Sequence, residues 1–169
     1  TIFEARRQSR NAAQTAENYL NSRGYFAPEI EYAVDAGPPP IGHVQIEPGP
    51  QFTLASIAID SGTQALSEAA MSAMRTVRTL KAGDVARPEA IVAEQAALVA
   101  ALKQAGYATA RAEERTVIGD RDAGTLELTY RIIPGARILL GDVIYPSDTR
   151  TRRDYLNRLI SFDENEIYA

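Results

Sequence analysis

Residues 99–107 read Val99-Ala-Ala-Leu-Lys-Gln-Ala-Gly106-Tyr107, which is the end of an amphipathic helix followed by glycine and tyrosine. An earlier stretch, Ala16-Glu-Asn-Tyr-Leu-Asn-Ser-Arg-Gly24-Tyr25, ends in the same way, and the two glycines are 82 residues apart. Glycine commonly ends helices because its backbone enters the left-handed region without strain. The chain therefore carries two copies of one helix end, which indicates an internal repeat.

Two more matches occur at nearly the same spacing. The stretch that begins at Pro48-Gly49 resembles the one that begins at Pro134-Gly135, 86 residues later, and each runs into an apolar strand. The stretch Thr79-Leu-Lys-Ala-Gly83 resembles Ser161-Phe-Asp-Glu-Asn165 at a spacing of 82, with asparagine where a left-handed turn otherwise has glycine. We infer about two periods of the repeat, cut out of phase, so that one unit is complete and its neighbours are partial.

The complete unit is predicted to have the order strand, helix, helix, strand, strand. Alternating apolar residues indicate its first and last strands, and apolar residues at helical spacing indicate its second helix. Proline suits the first position of a helix, and glycine suits the position after its end. The predicted elements are a strand over 51–60, a helix over 68–77, a turn at Gly83, a helix from Pro88 to the stop at Gly106, a polar strand over 111–118, a turn over 119–124 and a strand over 125–133.

The core of this unit is predicted from the apolar faces of two elements. On the last strand every second residue is apolar and faces inward: Leu126, Leu128, Tyr130 and Ile132. On the second helix an apolar stripe passes through Ile91, Leu98 and Leu102, and Gln95 is its one polar interruption.

The neighbouring units are incomplete in this sequence. The first has a helix over 4–23, a strand over 29–34 with Ile30, Tyr32 and Val34 inward, and a strand over 43–47. The third begins with a helix near 152–160. Because a partial unit leaves a sheet edge and a helix face uncovered, we expect the native protein to continue in both directions. The predicted domains are 1–50, 51–134 and 135–169.

Composition and charge exclude several classes of function. The net charge is −4, and the few arginine clusters alternate with polar residues, which argues against a nucleic-acid partner. The chain has no cysteine and a single histidine, His43, which is expected on an exposed strand face. The acidic cluster Asp163, Glu164 and Glu166 is expected to be a solvated turn rather than a cation site. No cofactor is predicted.

Two classes of function therefore stay open, an interaction module and a small α+β enzyme. The sequence contains no glycine-rich phosphate loop, nucleophile elbow or carboxylate pair at catalytic spacing. Tyr25 and Tyr107 follow helix-ending glycines, and we expect each to pack across the helix end rather than stack on a ligand. An interaction module would instead present an exposed sheet edge to an extended peptide.

The order of these phrases resembles the polypeptide-transport-associated (POTRA) domains of outer-membrane protein assembly factors. The phrases that carry the resemblance are Leu102-Lys-Gln-Ala-Gly106-Tyr107, Gly124-Thr-Leu-Glu-Leu-Thr-Tyr130-Arg-Ile-Ile-Pro-Gly135, and Phe3-Glu-Ala-Arg followed by Gly24-Tyr-Phe-Ala-Pro-Glu-Ile-Glu31. The implied fold class is α+β, a tandem array of β-α-α-β-β units with one complete and two partial POTRA domains. Within the family the order is most similar to the TamA branch.

The resemblance implies a location and a set of partners. The location is the periplasmic region of an outer-membrane protein of a Gram-negative bacterium. The implied partners are a TamB-like protein anchored in the inner membrane, unfolded outer-membrane protein clients and the array's own C-terminal β-barrel, with no nucleic acid. The implied role is insertion or export of outer-membrane proteins without catalysis. A BamA-type or two-partner-secretion transporter is the alternative within the family.

In POTRA domains the second strand is the sheet edge, so the candidate binding site is the edge strand of each unit. Charged side chains along such a strand are expected to guard it against promiscuous pairing. The candidate peptide-binding residues are Arg111, Ala112, Glu113, Glu114, Arg115, Thr116, Val117, Ile118, Ile30, Glu31 and Tyr32. The structural motif residues are Gly24, Tyr25, Gly83, Gly106, Tyr107, Pro134 and Gly135.

Overall fold

The structure, a computed structural model, describes residues 1–145, 151–162 and 167. The order from the third strand to the sixth is strand, helix, helix, a strand in two pieces, and strand, as the α+β prediction requires. The elements are α1 (Ile2–Ser22), β1 (Glu29–Asp35), β2 (Ile41–Glu47), β3 (Thr53–Asp60), α2 (Glu68–Val77), α3 (Pro88–Gln104), β4 (Arg111–Ala112), β5 (Thr116–Asp120), β6 (Thr125–Ile133) and α4 (Arg153–Asn157).

The chain divides into two compact units. The first comprises Thr1–Asp60, Thr79–Gln95 and Glu114–Tyr130, and the second comprises Ser61–Arg78, Ala96–Glu113 and Arg131–Ala169. Helix α3 and strand β6 each begin in the first unit and end in the second. Within the described ranges, no helix combines the length and the apolar character that crossing a bilayer requires.

Helices α1 and α3 end in the same hydrogen-bonded turn. Gly24 and Gly106 follow them with φ of 90° and 93°. In each case the tyrosine after the glycine donates its backbone N–H to a leucine carbonyl of the last turn at 3.0 Å, Tyr25 to Leu20 and Tyr107 to Leu102. This pattern satisfies carbonyls that a helix end leaves free. The predicted repeat of the helix end is thus present in three dimensions.

Tyr107 is a core residue, as predicted. It is 3% exposed, and its hydroxyl oxygen accepts the backbone N–H of Ser67 at 3.0 Å. That bond satisfies the polar end of a buried ring, which is the usual requirement for a tyrosine in a core. Tyr25 at the equivalent position is half-buried.

Strand β6 presents the predicted apolar face. Leu126, Leu128, Tyr130 and Ile132 are between 0% and 7% exposed, while Glu127 and Arg131 between them are exposed. The Tyr130 hydroxyl donates to the carbonyl of Ile91 at 3.2 Å, which places the start of α3 against this face. Each fully buried side chain of this size stabilises the fold by about 1.5–3 kcal/mol.

The hairpin of β1 and β2 differs from the sequence prediction at one position. Its antiparallel register sets Ile30 opposite Ile46, Tyr32 opposite Val44 and Val34 opposite Gly42, so these residues share one face. Helix α1 packs on both strands and comes close to Gly42, where an added Cβ would meet the Ser9 side chain. Ile30 and Val34 are half-buried, but Tyr32, predicted inward, is 42% exposed. The helix covers only part of this face.

Candidate functional site

The predicted edge strand 111–118 is not one strand, which corrects the sequence prediction. Strand β4 pairs with the end of β6, with Ala112 opposite Ile132, and β5 pairs with its beginning, with Thr116 opposite Thr129. Three residues, 113–115, intervene on the edge, against two, 130–131, on β6. The extra residue on the edge is a β-bulge.

The bulge explains how a strand with this sequence can fit the core. Ala112 lies opposite the buried Ile132, and Val117 lies opposite the buried Leu128. An odd number of positions separates these two residues although both share the face of their buried partners, which an unbroken strand of period two does not allow. Without the bulge Thr116 would face the core and Val117 would face water. The extra residue puts Ala112 and Val117 on the same face of the sheet, and it leaves the exposed Ile118 on the other face.

Strands β4 and β5 form the edge that the sequence predicts. Strand β6 pairs with β3 on one side and with β4 and β5 on the other, and among the described residues these two have no further partner strand. Strand β1, which carries Ile30, Glu31 and Tyr32, pairs only with β2 in the described part of the chain. Edge backbone groups of this kind can pair with an added strand.

The charged side chains of the predicted edge differ in their surroundings. Arg111, Glu113 and Glu114 are exposed, as expected for residues that guard an edge. Arg115 is half-buried, and its Nη1 donates to the Oε1 atom of Gln95 at 2.7 Å. Arg115 therefore lies on the α3 side of the sheet, the same side as Val117.

Gln95 is a site residue that the sequence analysis did not assign. The helical pattern predicts a polar interruption of an apolar stripe at this position, and in the structure Gln95 is 7% exposed and accepts the Arg115 hydrogen bond. A buried amide in an apolar stripe requires a polar partner. The need for a partner was therefore a signal in the sequence that Gln95 has a special role. The sequence did not identify the partner, because Arg115 lies 20 positions away along the chain.

A shallow apolar groove lies beside β5. Its volume is about 280 Å³. Its lining consists of Phe26, Pro88, Ile91, Arg115, Val117 and Leu126. Phe26 is held by an edge-on contact with the buried ring of Phe52, with ring centroids 5.7 Å apart. Val117 is 46% exposed, so the β5 wall of the groove is in contact with solvent.

Glu94 is a second residue missed by the sequence analysis. It is 2% exposed, and its Oε2 accepts the backbone N–H of Thr79 at 2.7 Å and that of Leu80 at 2.6 Å. The Thr79 hydroxyl donates to the same oxygen at 3.2 Å. Within the described residues, Oε1 has no hydrogen-bond partner. Glu94 thus ties the segment after α2 to α3.

The remaining candidate positions have structural surroundings. His43 is exposed, as predicted, and its Nε2 lies 2.9 Å from Oδ2 of Asp35. Gly83 and Gly135 have positive φ, and Pro134 is fully buried. In the ranges 1–145 and 151–162 and at 167, no group of three or more acidic or histidine side chains is placed to hold a metal ion. Asp163, Glu164 and Glu166 lie outside the described residues.

The fold is similar to solved structures, although no family model and no curated protein matches the sequence. POTRA domains 3–5 of BamA from Haemophilus influenzae match with a TM-score of 0.50 at 20% identity, over 94% of this chain and 63% of that chain. POTRA domains 1–3 of Omp85 from Anabaena match with a TM-score of 0.44 at 14% identity, over 94% and 65%. The chain thus spans 63% of the length of that three-domain BamA chain. Its fold is that of POTRA domains, an α+β fold built from β-α-α-β-β units.

Proposed function

We propose that this chain is the periplasmic POTRA region of an outer-membrane protein assembly factor, and that it binds unfolded client polypeptides by adding their strands to β5. The observation that carries the proposal is the free edge of β5 beside an apolar groove. Backbone hydrogen bonds at such an edge bind any extended chain, and the groove takes alternate side chains. This combination suits a protein that handles many clients.

The finer proposal assigns the TamA branch and its partners. The order of sequence phrases supports it, and the partners are then a TamB-like protein of the inner membrane, outer-membrane protein clients and the array's own β-barrel. The likeness to the BamA array of Haemophilus influenzae favours a BamA-type factor as the second candidate. In both cases we propose that the chain has no catalytic activity, since the described lining of the groove offers no hydroxyl, imidazole or carboxylate.

The test is a pair of proline variants in β5, Thr116→Pro and Val117→Pro. Successive amides of an edge strand point alternately toward its neighbour and away from it. Proline has no N–H, so one variant removes a donor from the pairing with β6 and the other removes a donor from the free side. Hydrogen exchange of the parent identifies which amide is which.

We expect the variant that lacks the free-side donor to fold like the parent and to lose binding and in-cell crosslinking of unfolded outer-membrane proteins by about tenfold or more. The other variant is the control, because it disturbs the sheet and lowers stability as well. Normal folding together with parental crosslinking and affinity in the free-side variant would show that clients do not pair with β5.

A further inference from the structure

The half-buried position of Arg115 is difficult to explain by stability alone. Its guanidinium group has five N–H donors, and its hydrogen-bond partner is the neutral amide of Gln95. Among the described residues no carboxylate forms an ion pair with it. Removing part of a charge from water without an opposite charge is unfavourable. The position therefore suits a cation that receives its counter-charge from a bound molecule.

The position of Arg115 relative to the edge indicates where the counter-charge of a bound molecule would lie. Arg115 comes directly before β5 and lines the groove together with Val117, two residues further along the same face. A strand added to β5 places every second side chain on this face. Neighbouring positions of the added strand therefore lie beside Arg115 and beside Val117.

The two positions have different chemistry. The position beside Arg115 offers N–H donors of a cation, which favour a carboxylate. The position beside Val117 faces an apolar wall made by Ile91, Leu126 and Phe26. At about 280 Å³ the groove is slightly smaller than small-molecule sites, which span about 300–1,000 Å³, so it fits one or two side chains of a strand rather than a cofactor.

We propose that β5 selects extended segments that carry an acidic side chain beside Arg115 and an apolar side chain two positions away, beside Val117. The inference rests on the proposed strand addition, and it adds that the edge prefers segments of this composition. The segment is a polypeptide rather than a free anion, because the backbone groups of the edge and the apolar wall contribute to the same site. The site thus discriminates between clients by one charge and one apolar contact.

The experiment compares three short peptides with the full 169-residue chain. The peptides have blocked ends and alternating valine and threonine, and differ only at one position, which is glutamate, glutamine or lysine. Affinities are measured by fluorescence anisotropy at low ionic strength, where screening is weak. We expect the glutamate peptide to bind about tenfold more tightly than the glutamine peptide, and the lysine peptide to bind most weakly.

Three variants connect the preference to the named residue. Arg115→Gln is expected to abolish the difference between glutamate and glutamine peptides, whereas Arg115→Lys keeps the charge and retains part of it. Arg121→Gln is the matched control, because Arg121 is an exposed arginine that directly follows β5 and is not a candidate peptide-binding residue, and it should leave the preference unchanged.

The outcomes separate this inference from the proposed function. Equal binding of all three peptides, or an unchanged preference in Arg115→Gln, overturns the charge selection and leaves strand addition intact. No binding of any peptide at millimolar concentration overturns both. If sedimentation shows that the chain dimerises through β5 and the peptides do not compete, the occupant is a second copy of the chain and the proposal is wrong.

Discussion

Replacing Glu94 by alanine is expected to lower the free energy of unfolding by about 3–5 kcal/mol. The carboxylate oxygen that accepts the backbone N–H groups of Thr79 and Leu80 is buried, and both bonds are short, at 2.7 Å and 2.6 Å. Alanine removes the shared acceptor of two backbone N–H groups and of the Thr79 hydroxyl, so three hydrogen bonds to one carboxylate are lost together. The measurement is chemical denaturation of the purified chain, followed by circular dichroism.

Two variants of the same helix serve as controls. Glu89→Ala removes an exposed glutamate from the first turn of α3 and should change stability by less than about 1 kcal/mol. Glu94→Gln keeps a carbonyl oxygen that can accept one of the hydrogen bonds, so its free energy of unfolding should lie between those of Glu94→Ala and Glu89→Ala. A Glu94→Ala variant as stable as Glu89→Ala would mean that Glu94 does not hold the segment after α2.

Replacing Gly24 by alanine is expected to cost about 2–4 kcal/mol. Part of the loss comes from the backbone, since a φ of 90° is strained for any residue with a Cβ. The rest comes from packing, because the new Cβ would lie 3.0 Å from Cγ1 of Val85 and 3.2 Å from the carbonyl oxygen of Ala86. The Phe52 N–H donates to the Gly24 carbonyl at 2.8 Å, so the strain also affects the entry to β3.

Gly83→Ala separates the two contributions. Its φ is 93°, but an added Cβ there meets nothing within 4 Å. This variant should therefore show the backbone cost alone, about 1–2 kcal/mol. Equal losses at both positions in thermal or chemical unfolding would mean that the turn after α1 is not packed against Val85.

Periodicity and end signals predicted the regular elements well. Pro88 and Gly106 mark the limits of α3, and the alternation of Leu126, Leu128, Tyr130 and Ile132 assigns the buried face of β6. These signals are local. A strand with one solvent-exposed face alternates with a period of two, and a helix that ends at glycine depends only on the backbone conformation of that glycine. The order of elements, and hence the fold class, follows from them.

The edge and its polar contacts could not be predicted in the same way. The bulge at 113–115 depends on the register of β4 and β5 against β6, which a single strand sequence does not contain. The partners of Glu94 and Gln95 lie 14 to 20 positions away and meet them only after α3 packs. The sequence placed Arg115 among the edge residues, but it did not predict that this side chain turns inward to donate to Gln95.

Hydrogen exchange of the β5 amides, with and without the glutamate peptide, tests strand addition most directly. Amides that point away from β6 exchange fast in the free chain and become donors to the added strand on binding. Strand addition predicts slower exchange at alternate residues of Thr116–Asp120 and no change in β3, which lies on the other side of β6. Saturating peptide binding without protection in β5, or with protection at β1 and β2 instead, would contradict it.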